Sequence, residues 1–135
     1  MLGLLIGFGG IIGALLRYYL GIWSLGWTNT IFPIGTFTAN MIGSFILGWL
    51  TTRIIHHQVV HPYLATAVGT GIIGSFTTFS TFSVESVQLI QTGHWQIAIL
   101  YVFLSLVGGL FMSWFGFRIG KIFSQNKNGE SKEAL

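Results

Sequence analysis

Residues 69–83 read Gly-Thr-Gly-Ile-Ile-Gly-Ser-Phe-Thr-Thr-Phe-Ser-Thr-Phe-Ser, inside a stretch long enough to cross a bilayer. Three glycines followed by six Ser or Thr residues within nine positions make a poor uninterrupted helix. Hydroxyls compete for backbone groups, and each glycine costs about 1 kcal/mol relative to alanine. The pattern predicts a helix broken between Gly74 and Thr78. Non-helical backbone at membrane depth survives only where protein or a polar cavity satisfies it, and such breaks commonly present carbonyls to a cation. A kink patched by hydroxyls, with no ligand, is the plainer use of the same composition.

Outward from this stretch the chain is membrane material. Of 135 residues 52% are hydrophobic and only 7% charged, with a mean hydropathy of +0.74, whereas a soluble domain carries about 25% charge. Arg17 is followed by 35 uncharged residues before Arg53, and His94 is the only histidine between Glu85 and Arg118. At about 20 apolar residues per crossing, the chain divides into four spans: residues 2–22, 32–55, 63–90 and 95–123. The fold class is therefore an all-α membrane protein of four transmembrane helices with a break in the third. Residues 1–123 form one domain, and 124–135 a polar, disordered tail. The first segment lacks the leading Lys or Arg and the cleavage site of a signal peptide and reads as a retained helix.

Charge and composition exclude several functions. The net charge of +3 comes mainly from basic residues at or beyond position 118, so no basic stripe awaits nucleic acid. With no cysteine, disulfides, thiolate metal sites and a cysteine nucleophile are absent. An intramembrane serine protease fails for want of a Gly-x-Ser-x-Gly run and of a histidine inside a span, so no enzyme is expected. An even number of spans puts both termini on one side. Arg53, Arg118, Lys121, Lys127 and Lys132 lie there against Arg17 opposite, which predicts cytoplasmic termini.

Two polar stripes recur at helical spacing: Thr36, Asn40, Ser44 and Gly48 in the second span, and Tyr101, Ser105, Gly109 and Ser113 in the fourth. Buried donors without partners are costly in hydrocarbon, so neither stripe should face lipid. Interhelical hydrogen bonding and a polar pathway are both open uses. Gly3/Gly7, Gly9/Gly13 and Gly35/Ala39/Gly43 add small-residue faces suited to close helix packing.

Three motifs in order carry a resemblance: residues 9–18 (Gly-Gly-Ile-Ile-Gly-Ala-Leu-Leu-Arg-Tyr), residues 35–43 (Gly-Thr-Phe-Thr-Ala-Asn-Met-Ile-Gly) and residues 74–85 (Gly-Ser-Phe-Thr-Thr-Phe-Ser-Thr-Phe-Ser-Val-Glu). Together they resemble the Fluc (CrcB) fluoride channels of bacterial cell membranes. That resemblance implies passive fluoride efflux through two pores enclosed by an antiparallel dimer, with a structural sodium ion at its centre. The carbonyls of Gly74 and Thr77 would hold the sodium. Asn40, Phe79 and Phe82 match pore positions, with Thr36, Tyr101 and Ser105 as further donors along the path. Ring edges face an anion without offering a charge that would trap it.

Other residues keep two readings. Glu85, the only acidic group before the tail, supports the site electrostatically or by hydrogen bonds. Arg17, at the end of the first helix, draws anions toward a pore mouth or snorkels to the interface. His56, His57 and His61 offer ligands without a complete metal set. A small proton-coupled exporter would need a mid-membrane carboxylate, whereas Glu85 comes late in its span. A purely structural protein would leave the Asn40 stripe unexplained. The five-to-one charge count leaves a homodimer that inserts both ways or a heterodimer with an oppositely oriented homologue.

Overall fold

The computed structural model describes residues 2–27, 30–57 and 62–133, excepting the side chains of Leu25, Trp27, residues 53–57, Pro62 and residues 123–133. It comprises α1 (Leu2–Trp27), α2 (Ile34–His57), α3 (Pro62–Thr66), a π-helical stretch (Ala67–Ile73), α4 (Gly74–Phe76), α5 (Phe79–Gln91) and α6 (Trp95–Glu133). Leu2–Ser24, Ile34–Thr52 and Trp95–Ile122 are each long and apolar enough to cross a bilayer alone. The other crossing is made in two halves that meet at Thr77 and Thr78, inside the window expected from the glycine and hydroxyl run. The protein is a multi-pass membrane protein of four spans with a broken third. Leu4, Phe8, Leu106 and Leu110 stand outward, as lipid-facing side chains do.

Local chemistry sets the element ends. The Pro33 carbonyl accepts from Phe37 N–H at 3.1 Å and so opens α2. After α5, Gly93 adopts φ +82°. Its N–H donates to Ile90 C=O and that of His94 to Leu89 C=O, closing the helix with a left-handed residue that favours glycine.

Two ends depart from expectation. α1 continues five residues past Ile22, with no proline before Pro33 to stop it. Arg17 is therefore not at the helix end but ten residues inside it, about 15 Å along the axis. The stretch expected as a disordered tail is helical to Glu133, where Lys, Gln and Glu, good helix formers, outweigh Gly129. His56 and His57 close α2, but their side chains and His61 lie outside the described residues.

α2 and α6 run side by side in the same direction, held by close backbone approach. A Cβ on Gly48 would fall on the Ser113 carbonyl, and one on Gly116 on the Phe45 carbonyl. Thr52, fully buried, shares its hydroxyl between Gly48 C=O and Phe117 C=O, each at 3.2 Å, tying the two helices together. On the other flank α1 packs against the π-helical stretch, where Gly9, Gly13 and Gly71 leave no room for a side chain. Of the expected small-residue faces, Gly9/Gly13 and Gly35/Ala39/Gly43 are buried contacts, whereas Gly3 and Gly7 meet nothing within 4 Å.

The third span thus begins against α1 and ends against α6, and it breaks where it passes over α2. Gly116→Val should lower unfolding stability in detergent by about 2–3 kcal/mol by driving α6 off α2. Gly3→Ala should cost nothing, and equal thermal midpoints for the two variants would contradict this packing.

Candidate functional site at the helix break

The break is organised by one side chain. Thr77 and Thr78 are extended (φ −78°, ψ 155° and φ −150°, ψ 126°), so Thr77 N–H makes the last bond of the upstream ladder, to Ile73 C=O at 2.9 Å, and the N–H and C=O of Thr78 fall outside it. Asn40 on α2 replaces the missing partners: Thr78 N–H donates to Asn40 Oδ1 at 2.9 Å, and Asn40 Nδ2 donates to Thr78 C=O at 3.1 Å. Thr78, 8% exposed, then caps α5, its hydroxyl accepting from Thr81 N–H at 3.2 Å.

These bonds have a consequence for Gly74 and Thr77. In a continuous helix the Gly74 carbonyl would receive Thr78 N–H and the Thr77 carbonyl would receive Thr81 N–H. Both N–H groups are diverted, to Asn40 and to the Thr78 hydroxyl. Gly74 is exposed on the surface of the chain and Thr77 half-buried. Beside them lies a cavity of about 180 Å³ between Asn40, Ser44, Gly69, Gly74 and Thr77.

On the other side of Asn40 a cavity of about 530 Å³ is lined by Asn40, Ser44, Thr78, Phe79, Phe82, Ser105 and Gly109. Its polar groups are donors without charge. Asn40 has a second amide hydrogen beyond the one given to Thr78, and Ser105 Oγ is buried with no hydrogen-bond partner among the described residues. Phe82 is half-buried and Phe79 79% exposed, their rings 5.9 Å apart. The N-terminus of α5, the positive end of its dipole, points into the same region.

Thr36, Glu85 and Tyr101 come together, but not as free donors. Thr36 Oγ1 donates to Glu85 Oε1 and Tyr101 OH to Glu85 Oε2, both at 2.8 Å. The carboxylate accepts the hydrogen bonds of the two hydroxyls that the sequence offered as donors to an anion. Tyr101 is fully buried, packed against Phe82 with ring centroids 5.0 Å apart and against Phe32 at 5.3 Å. Beyond this cluster a third cavity, about 390 Å³, opens between Ser24, Gly35, Thr36, Glu85, Gln88 and Thr92. Tyr101 lines neither this cavity nor the one at Asn40, and Phe82 lines only the latter. The aromatic pair therefore stands between two polar spaces.

Arg17 is half-buried on α1 and makes no ion pair or hydrogen bond among the described residues. It is not part of this cluster. Thr78, the residue Asn40 holds, escaped the sequence reading. The available signal was a threonine directly before an amphipathic run, a capping pattern hidden among neighbouring hydroxyls.

Four crossings folded around a carbonyl-bearing break, with uncharged donors lining the cavity beside it, define a small polytopic membrane protein built to handle ions rather than an enzyme. Residues 4–117 match the family described as CrcB-like protein, Camphor Resistance (CrcB), and the chain belongs to that family. A Bacillus cereus protein called fluoride-specific ion channel FluC 1 is 48% identical over 117 residues, 87% of this chain and 85% of the relative. A protein of the same name from Desulfitobacterium hafniense is 49% identical over 111 residues, 82% of this chain and 96% of the relative. The fluoride-specific ion channel FluC of Oceanobacillus iheyensis is 46% identical over 116 residues, covering 86% and 88%.

Asn40→Ala should leave both polar groups of the Thr78 peptide without a partner, at about 1–3 kcal/mol each. The expected readout is a lower thermal midpoint and faster amide hydrogen exchange at Thr78. Unchanged exchange there would mean that Asn40 does not hold the break.

Proposed function

We propose that this chain forms a fluoride channel of the bacterial plasma membrane, giving fluoride a passive way out of the cytoplasm. The supporting observation is one cavity lined together by Asn40, Ser105, Phe79 and Phe82, uncharged donors beside two aromatic rings, with the Ser105 hydroxyl buried and unpartnered among the described residues. Fluoride is small and strongly hydrated, so a pore must exchange its water for donors that release it again. Neutral donors and ring edges meet that need, where a lysine or arginine would trap the ion. The relatives named as fluoride-specific channels agree with this chemistry.

On this reading two copies associate antiparallel, and the exposed ring of Phe79 lies where a second subunit would complete a pore wall. The carbonyls of Gly74 and Thr77 from both subunits would hold one structural sodium ion. The diversion of their helical partners makes them available, and four neutral oxygens suit a hard cation. Sodium would supply fixed positive charge at the centre of the assembly. On this reading the chain's own part is to keep those carbonyls free of helical donors, with Asn40 taking the N–H of Thr78.

A second reading of the assembly has its own support. Five basic residues near the ends on the terminal side, against Arg17 on the other, favour one insertion direction. Such a subunit would pair with an oppositely oriented homologue rather than with itself.

The test is reconstitution of the purified chain into liposomes loaded with fluoride or chloride. Fluoride efflux without chloride efflux is expected, falling about tenfold in Phe79→Ile through loss of one ring-edge contact. Efflux should also weaken when sodium is replaced by a large organic cation on both sides. Silence relieved by adding an oppositely oriented homologue would establish the heterodimer, and silence that persists would sink the channel assignment.

A further inference from the structure

The two polar stripes meet as rungs, each joining a residue of α2 to the one 65 positions later on α6. Thr36 and Tyr101 share Glu85, Asn40 and Ser105 line one cavity, and Gly48 abuts the backbone of Ser113. On the remaining rung a Cβ added to Gly109 would sit 3.7 Å from Ser44 Oγ. Here α6 offers no side chain, and the hydroxyl comes from α2.

Ser44 also behaves unlike most hydroxyls in these helices. Thr51, Ser75, Thr77, Ser83 and Ser86 all turn their hydroxyls back onto the carbonyl four residues earlier, at 2.7–2.9 Å. That is the usual way to satisfy a hydroxyl in an apolar setting. Ser44 makes no such bond, nor any other among the described residues, and its side chain is half-buried. It lines both the cavity under Phe82 and the one beside Gly74. One rung further, contact of Gly48 with Ser113 leaves no space between the helices.

From this we infer that Ser44 is an anion-contacting residue of the pathway, supplying across the α2–α6 interface the hydroxyl that α6 lacks at Gly109. This rests on the fluoride-channel reading. An anion leaving Asn40 and Ser105 next meets the Ser44 O–H, the last donor before the helices close. A hydroxyl left open toward a cavity is well placed for an ion that must exchange donors stepwise.

Ser44→Ala should therefore reduce fluoride efflux about fivefold, the loss of one neutral hydrogen bond. Ser44→Ala combined with Gly109→Ser should recover most of it, because a hydroxyl from α6 then enters the same space. A Cβ at Gly109 makes only ordinary contacts, the nearest at 3.7 and 3.8 Å, so the replacement fits. Thr51→Ala, which removes an exposed back-bonded hydroxyl, should leave efflux unchanged. All variants would be compared in liposomes at matched protein density, with thermal midpoints measured alongside. A parent that conducts together with an unaffected Ser44→Ala overturns the inference, and so does a loss that Gly109→Ser does not repair. A parent that conducts neither alone nor with an oppositely oriented homologue overturns the channel reading itself.

Discussion

A broken helix inside hydrocarbon exposes peptide groups that lipid cannot satisfy, and the answer in this protein is a primary amide. Asn40 is the right length and carries both a donor and an acceptor, so it pairs with the N–H and the C=O of Thr78 at once. Aspartate offers no donor, and a hydroxyl cannot span both groups. With Thr78 held extended, α5 starts afresh with its own cap, and the third span changes neighbours from α1 to α6. The same two bonds divert the partners of the Gly74 and Thr77 carbonyls. One side chain thus satisfies the peptide groups at the break, and the Gly74 carbonyl loses its helical donor to it.

Glu85 does related work one turn beyond Phe82. A carboxylate inside a bundle is costly unless hydrogen-bonded. Thr36 and Tyr101 donate to its two oxygens, joining α2, α5 and α6 in one cross-link beside the aromatic cluster. Tyr101 is held from both ends, its hydroxyl by Glu85 and its ring by Phe32 and Phe82. The aromatic wall between the two polar cavities is therefore fixed by the same network that satisfies the charge.

Much of this was legible in the chain because membrane burial leaves strong composition signals. The uncharged interval from Arg17 to Arg53 gives the second span almost without further argument, and the glycine and hydroxyl run at 69–83 marks where the third must fail. The stripes on α2 and α6 were visible as four-residue periodicity, but periodicity reports a face and not what the face meets. Thr36 and Tyr101 were read as free donors since nothing local ties Glu85 to them, 49 and 16 residues away. Arg17 stands near the end of a first span bounded at Ile22 by the apolar run, whereas α1 continues to Trp27.

The sequence by itself determined the solvent, the number of crossings, the position of the break and the two polar stripes, since each follows from hydrophobicity and backbone propensity within a few turns. The tertiary structure decided the parallel register of α2 and α6, and with it which stripe residues face each other. It also decided that Thr78 is the residue Asn40 holds, that Glu85 takes both nearby hydroxyls and that the hydroxyls of Ser44 and Ser105 have no partner among the described residues. Those outcomes depend on distances between groups far apart in the chain. Only packing sets such distances, here through the glycines at 48 and 116 that let the two helices touch.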